Sequence, residues 1–159
     1  MIPYGHHSIN EDDINAVAEV LRGDWLTTGP LVEKFELELE KIVGAKCAVV
    51  SSGTAALHCA FAAIDLQPGD EVITPPITFI ATQATAALSG ASIVFADVLD
   101  DTANIDPTAV EAAITKKTKA IVAVDYAGHP ADLSELRTIA DKYGIYLIED
   151  AAHSLGSKY

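Results

Sequence analysis

Two short segments of this chain end in groups suited to gripping opposite poles of one small molecule. Ser51-Ser52-Gly53-Thr54-Ala55 follows an apolar run and opens a stretch rich in small residues. If that stretch is a helix, the amides of Gly53, Thr54 and Ala55 stand at its start. There, free N–H groups and the positive end of the helix dipole hold a phosphate, and Gly53 lets the backbone turn sharply. The Thr54 hydroxyl adds a further donor. The plainer alternative is that Ser52 only caps a helix packed through Ala55, Ala56 and Ala60. Much further along, the apolar run Ile145-Tyr146-Leu147-Ile148 ends in Glu149-Asp150. A carboxylate at the end of a central strand is poorly solvated and needs a cationic partner or several donors. A protonated pyridine nitrogen suits Asp150, and the carboxylate would keep such a ring an electron sink. A helix cap or a metal ligand are the other roles open to it. His153 could hydrogen-bond a phenolic oxygen of the same ring or simply sit in a loop. Phe79 could lie flat against the ring or belong to the core. A phosphorylated pyridine bearing a phenolic oxygen is pyridoxal phosphate (PLP).

These residues are useful together only if the fold brings them to one place. The chain reads as an N-terminal helical arm, residues 1–44, followed by alternating strands and helices over 45–159, the first part of a cofactor-binding domain. In the arm, Ser8-Ile9-Asn10-Glu11 reads as a capping box ahead of Ile14, Val17, Ala18 and Leu21, with Gly23 as the stop. Pro30 opens a second helix with Leu31, Phe35, Leu39 and Ile42 on one face. Beyond it the expected strands are 45–51, 71–75, 92–96, 120–125 and 145–150, and the expected helices are 54–64, 79–89, 107–114 and 133–143. The strands are continuous apolar runs, as in a sheet covered on both faces. Asp106-Pro107 caps a helix, and Gly69-Asp70, Gly90 and Gly144 punctuate. The fold class is therefore α/β, a doubly wound, mostly parallel sheet. Such sheets bind ligands beyond the carboxyl ends of their strands, where Thr54, Phe79, Asp150 and His153 all fall.

Composition narrows the partners. The 159 residues carry a net charge of −13, half of them are hydrophobic and 21% are charged. This is a globular balance, and it disfavours nucleic acid and anionic membranes, which call for basic surface. No window approaches the ~20 apolar residues of a membrane span, and the start shows no leader pattern. Cys47 and Cys59 read as unpaired thiols in a buried strand and a buried helix, as in a reducing cytoplasm. The five histidines lack metal-ligand spacing, so no metal site is expected. Asp97, Asp100, Asp101 and Asp106 read as a solvated acidic loop with a cap. A phosphotransfer or metal site on Glu149-Asp150 with Asp97, or an anion-binding module without catalysis, are the rival readings.

Several stretches resemble the DegT/DnrJ/EryC1/StrS sugar aminotransferase family. They include Gly23-Asp24-Trp25-Leu26-Thr27-Thr28-Gly29-Pro30, Ser51 through His58, Gly69 through Pro75, Thr78 through Thr82, Asn104 through Pro107, Ala127 through Asp132, and Glu149 through Gly156. They follow in order over essentially the whole chain. Ile2-Pro3-Tyr4-Gly5 and Pro75 through Phe79 are most similar to the branch that aminates a UDP-4-keto-6-deoxy-N-acetyl-altrosamine on the pseudaminic-acid pathway. The resemblance implies a PLP-dependent transferase fold and amino transfer from glutamate to C4 of a nucleotide-linked 4-keto sugar. It implies a cytoplasmic homodimer with sites at the subunit interface. Gly53, Thr54 and Ala55 map to the phosphate turn, Phe79 to the ring-stacking aromatic, Asp150 to the ring-nitrogen partner and His153 to the residue near the phenolic oxygen. Tyr4, Thr27, Thr28 and Gly29 map to substrate contacts. Gln83 stands where members often have Asn. The Schiff-base lysine is expected beyond Tyr159, because Lys158 follows Asp150 too closely, so these residues alone are expected to be inactive. A histidine in its place would make the relative a sugar dehydratase. Cut sheet edges and uncovered helix faces would also favour association.

Overall fold

Helix α1 (Glu11–Arg22) begins where a side chain first satisfies its free amides. The Asn10 carboxamide oxygen accepts from the Asp12 and Asp13 N–H groups at 2.7 and 3.1 Å, and Asp13 Oδ2 takes the Asn10 N–H at 2.9 Å. The capping box expected at Ser8 thus sits two residues later. Asn is at least as good a cap as Ser, and the Asp13 carboxylate completes the reciprocal pair. Gly23 ends the helix, and Pro30 starts α2 (Pro30–Val43), which Gly44 closes in the left-handed conformation.

The structure, a computed structural model, describes residues 6–158. These fall into two compact units, one within Met1–Val49 and the other within Val50–Tyr159. In the first unit the apolar stripes of both helices, including Ile14, Leu21, Phe35 and Ile42, are exposed. The strand expected over 45–51 does not form. Its composition suits a strand, but no neighbouring strand pairs with it among the described residues. Two of its amides go instead to carboxylates of α2: Cys47 N–H to Glu40 at 3.3 Å and Val49 N–H to Glu36 at 2.8 Å.

The second unit carries α3 (Gly53–Ala63), β1 (Glu71–Thr74), α4 (Ala81–Leu88), β2 (Ser92–Phe95), α5 (Pro107–Ala113), β3 (Thr118–Val124), α6 (Leu133–Tyr143) and β4 (Tyr146–Asp150). Its four strands pair in parallel in the order β2-β1-β3-β4. The central strands β1 and β3 are largely buried, in keeping with their apolar stretches Val72-Ile73 and Ala120 to Val124. On one face Val72 and Val122 pack against Leu57, Phe61, Ala81 and Ala86 of α3 and α4. On the other, Ile73, Ile121 and Ala123 pack against Val110, Leu136, Ile139 and Ala140 of α5 and α6. The sheet is therefore wound on both sides. Each fully buried Phe, Ile or Leu in these layers adds roughly 1.5–3 kcal/mol of transfer free energy. Cys59, expected inside, is exposed. It lies two residues from both Leu57 and Phe61, which fixes it on the opposite side of α3 from the core. Cys47, in the segment that forms no strand, is half-buried.

Candidate functional site

Successive residues of a strand face opposite ways, so Glu149 and Asp150 part company at the end of β4. Asp150 faces α4: its Oδ2 accepts from Thr82 Oγ1 at 2.9 Å, and its Oδ1 from the Ala152 N–H at 3.4 Å. Thr82 is fully buried, and Thr78 Oγ1 lies 3.0 Å from its hydroxyl. The Thr82 N–H in turn donates to the Phe79 carbonyl at 3.1 Å. Phe79 and Asp150 are thereby held through one residue. The Phe79 ring is 72% exposed rather than part of the core. Gln83, whose partner was open from sequence, donates from Nε2 to the Pro75 carbonyl at 3.1 Å and fastens the turn that delivers Phe79.

Glu149 points to the α6 side, beside Leu133, Ser134, Arg137 and Leu147. Its carboxyl is pushed up to about 7, first by desolvation and then by the adjacent Asp125, to which the protonated form can donate. The metal or phosphotransfer site considered on Glu149-Asp150 fails on this geometry, since the two carboxylates face opposite sides of the sheet. Among the described residues no three His, Cys, Asp or Glu side chains gather as a metal site.

Asp125 directly follows β3 as Asp150 ends β4, yet it has another job. It is 2% exposed, with Ser154 Oγ donating to Oδ2 at 2.5 Å and the Ala131 N–H donating to Oδ1 at 2.9 Å. Both oxygens are occupied, and the group ties the turn after β4 to the turn after β3. Asn104 secures the latter: its carboxamide donates to the His129 and Pro130 carbonyls and accepts from the Tyr126 N–H, all at 3.0 Å. Gly128 has φ +86, and a Cβ there would stand 2.9 Å from the His153 carbonyl. Only glycine allows this close approach. His153 lies exposed on that turn.

At the head of α3, Ser52 Oγ accepts the Ala55 N–H at 3.2 Å. The Ala55 amide is thus used by the cap, while Gly53 and Thr54 precede any intrahelical acceptor. The chain passes from extended backbone at Ser52 directly into the helix, and Gly53 makes this change without a left-handed φ. A Cβ built on it meets nothing within 4 Å, so there is open space beside Gly53. Helix α3 leads through a short turn into the start of β1 and packs on α4, so its N-terminus belongs to the end of the sheet where the strands finish.

Thr27, Thr28 and Gly29 form the turn into α2 within the first unit. Thr28 has φ 47, and a Cβ on Gly29 would meet Trp25 Cβ at 2.9 Å. Tyr4 lies outside the described residues. The contribution of Thr82 was missed from sequence, because a helical Thr carries no mark of a partner 68 residues away. Asp125 and Ser154 were missed as a pair, although an apolar run ending in Asp was the very signal that selected Asp150.

Several solved proteins share this fold. DesV of S. venezuelae, solved in complex with a ketimine intermediate, matches at a TM-score of 0.84 and 40% identity, over 89% of this chain and 39% of its own. NtdA of Bacillus subtilis, solved with bound cofactor PMP, matches at 0.86 and 38%, over 93% of this chain and 35% of its own. PseC of Helicobacter pylori, an aminotransferase involved in the biosynthesis of pseudoaminic acid, matches at 0.91 and 34%, over 99% and 43%. The chain spans about two fifths of the length of these solved proteins. Residues 7–159 match one sequence family along their whole length. The chain belongs to the DegT/DnrJ/EryC1/StrS aminotransferase family.

Proposed function

We propose that the protein of which this chain forms part is a PLP-dependent sugar aminotransferase. It moves an amino group from glutamate to C4 of a nucleotide-linked 4-keto-6-deoxy sugar, with an altrosamine-type UDP sugar of the pseudaminic-acid pathway as the favoured substrate. The observation that carries this reading is Asp150. Its carboxylate is held by Thr82 and Ala152 yet keeps lone pairs free, and the same Thr82 is bonded to the backbone of Phe79, whose ring is exposed. The other pole fits as well, with two uncommitted amides at Gly53 and Thr54 and open space beside Gly53.

When bound, the cofactor would supply an electron sink for the amino-transfer chemistry. This chain's residues hold it in place. Gly53 and Thr54 donate to its phosphate, with Ala55 shaping the turn. Phe79 covers one face of the ring and excludes water from it. Asp150 accepts from the ring nitrogen and keeps that nitrogen protonated. His153 reaches the phenolic oxygen. Tyr4, Thr27, Thr28 and Gly29 contact the sugar substrate. The lysine that holds the cofactor covalently lies outside residues 1–159 on this reading, and these residues alone turn over no substrate. The working form is a cytoplasmic homodimer, in keeping with exposed apolar side chains such as Phe79, Ile80, Leu88 and Phe95.

The test is an absorbance titration of the full-length protein with PLP, followed by glutamate and then keto-sugar. A visible band that bleaches with glutamate and returns with the keto-sugar is expected. A protein that leaves the PLP spectrum unchanged would overturn the assignment.

A further inference from the structure

The two buried threonines of α4 spend their hydroxyl protons differently. Thr85, 1% exposed, donates to the Ala81 carbonyl one turn back at 2.7 Å, as a helical Thr ordinarily does. Thr82, at 0%, leaves its own helix and donates across to Asp150 Oδ2 at 2.9 Å. A hydroxyl has one proton, and an ionised carboxylate only accepts. With the Thr82 proton committed to Asp150, the 3.0 Å contact between the Thr78 and Thr82 hydroxyls must run from Thr78 to Thr82. The result is a one-way chain, Thr78 to Thr82 to Asp150, buried in its middle and fixed to the backbone turn that carries Phe79.

We propose that Thr82, supported by Thr78, is a positioning residue that fixes the Asp150 carboxylate against the ring nitrogen of a bound pyridine cofactor. This rests on the reading of Asp150 given above. The Ala152 N–H, at 3.4 Å, is a weaker hold on the other oxygen, so Thr82 sets the carboxylate plane. The acceptor oxygen then meets the ring N–H without first being reoriented.

The test compares full-length wild type, T82V, T82S, T78A and D150A for binding of PLP and of its 1-deaza analogue, in which the ring nitrogen is carbon. Affinities come from the change in ligand absorbance. T82V is expected to weaken PLP about tenfold, which is one step of ~1.4 kcal/mol, and to leave the analogue nearly unchanged. T82S restores wild-type binding, and T78A weakens PLP two- to threefold. Equal loss of both ligands in T82V, or of neither, overturns the proposal. Should T82V fail to fold, T78A at a half-buried site outside the helix asks the same question: no selective loss there overturns it too. If D150A itself does not distinguish PLP from the analogue, the assignment of Asp150 is at fault, and the role of Thr82 falls with it. If D150A distinguishes them and neither T82V nor T78A does, only the role of Thr82 fails.

Discussion

Replacing Gly53 with Ala separates a glycine kept for the fold from one kept for a ligand. Gly53 is the first residue of α3, its φ is not left-handed, and a Cβ there meets nothing within 4 Å. The fold therefore does not oppose the change. Within a helix, Ala exceeds Gly by roughly 0.5–1 kcal/mol, and at a first helical position part of this is gained, so stability should rise by about 0–0.5 kcal/mol. Ligand binding should move the other way. The Cβ of a helical residue tilts toward the N-terminus, the end at which the Gly53 and Thr54 amides stand. Losing one hydrogen bond to a charged group costs about 1.5–3 kcal/mol, which is roughly 10- to 150-fold in Kd. The assay is paired: thermal melting without ligand, and absorbance titration with PLP beside unphosphorylated pyridoxal, on the full-length protein. The expected result is an unchanged or higher Tm, weaker PLP and unaltered pyridoxal. Wild-type PLP affinity in the variant, or equal loss of both ligands, would refute a phosphate cradle at this turn.

Two further outcomes follow from the acidic side of the sheet. The Glu149 carboxyl is raised from 4.5 to about 7, so the folded state holds its proton more tightly than the unfolded chain. Its contribution is therefore full below about pH 4.5 and lost as pH rises through about 7. The side chain is open to water, and screening limits the effect to about 1 kcal/mol or less. E149Q should abolish that slope in denaturant midpoints measured between pH 5 and 8; an identical pH profile in the variant would contradict the reasoning. Ser154→Ala removes the donor on Asp125 Oδ2 inside a 2% exposed site. It should cost about 1.5–3 kcal/mol in urea denaturation at unchanged m, and a loss under ~0.5 kcal/mol would show that the two turns are not tied there.

The parallel sheet was legible because its evidence is local. β1 and β3 carry short apolar stretches, Val72-Ile73 and Ala120 to Val124, Gly144 marks the end of α6 and Asp106-Pro107 the start of α5, and each signal is decided within a few residues. Residues 45–51 show the limit of such evidence. Their composition is that of a strand, but a strand exists only with a neighbour, and here carboxylates of α2 take the amides of Cys47 and Val49. The start of α1 shows a subtler limit. Ser8 and Asn10 both satisfy the cap pattern, and the choice falls to Asn10, where Asp13 returns the second bond. Gly53 shows a further limit: its residue type does not reveal that it opens the helix without a left-handed φ, with space left where a Cβ would stand.

Asp125 and Asp150 carry the argument about function furthest, because sequence cannot tell them apart. Each closes an apolar strand and enters a loop, and they lie on adjacent strands, with the Asp125 N–H donating to the Asp150 carbonyl at 3.2 Å. What separates them is burial and the closeness of the two donors around each carboxylate. Asp125 is sealed from water with a close donor on each oxygen, so a ligand has no open path to it. Asp150 has one strong donor and one weak one and remains partly open. A buried anion satisfied within the chain holds turns together; one left partly unsatisfied at a strand end has capacity for a cation. The side chains that make this difference, Thr82 and Ser154, come from distant positions in the chain, so the assignment of a binding role to Asp150 and a structural role to Asp125 depends on tertiary structure.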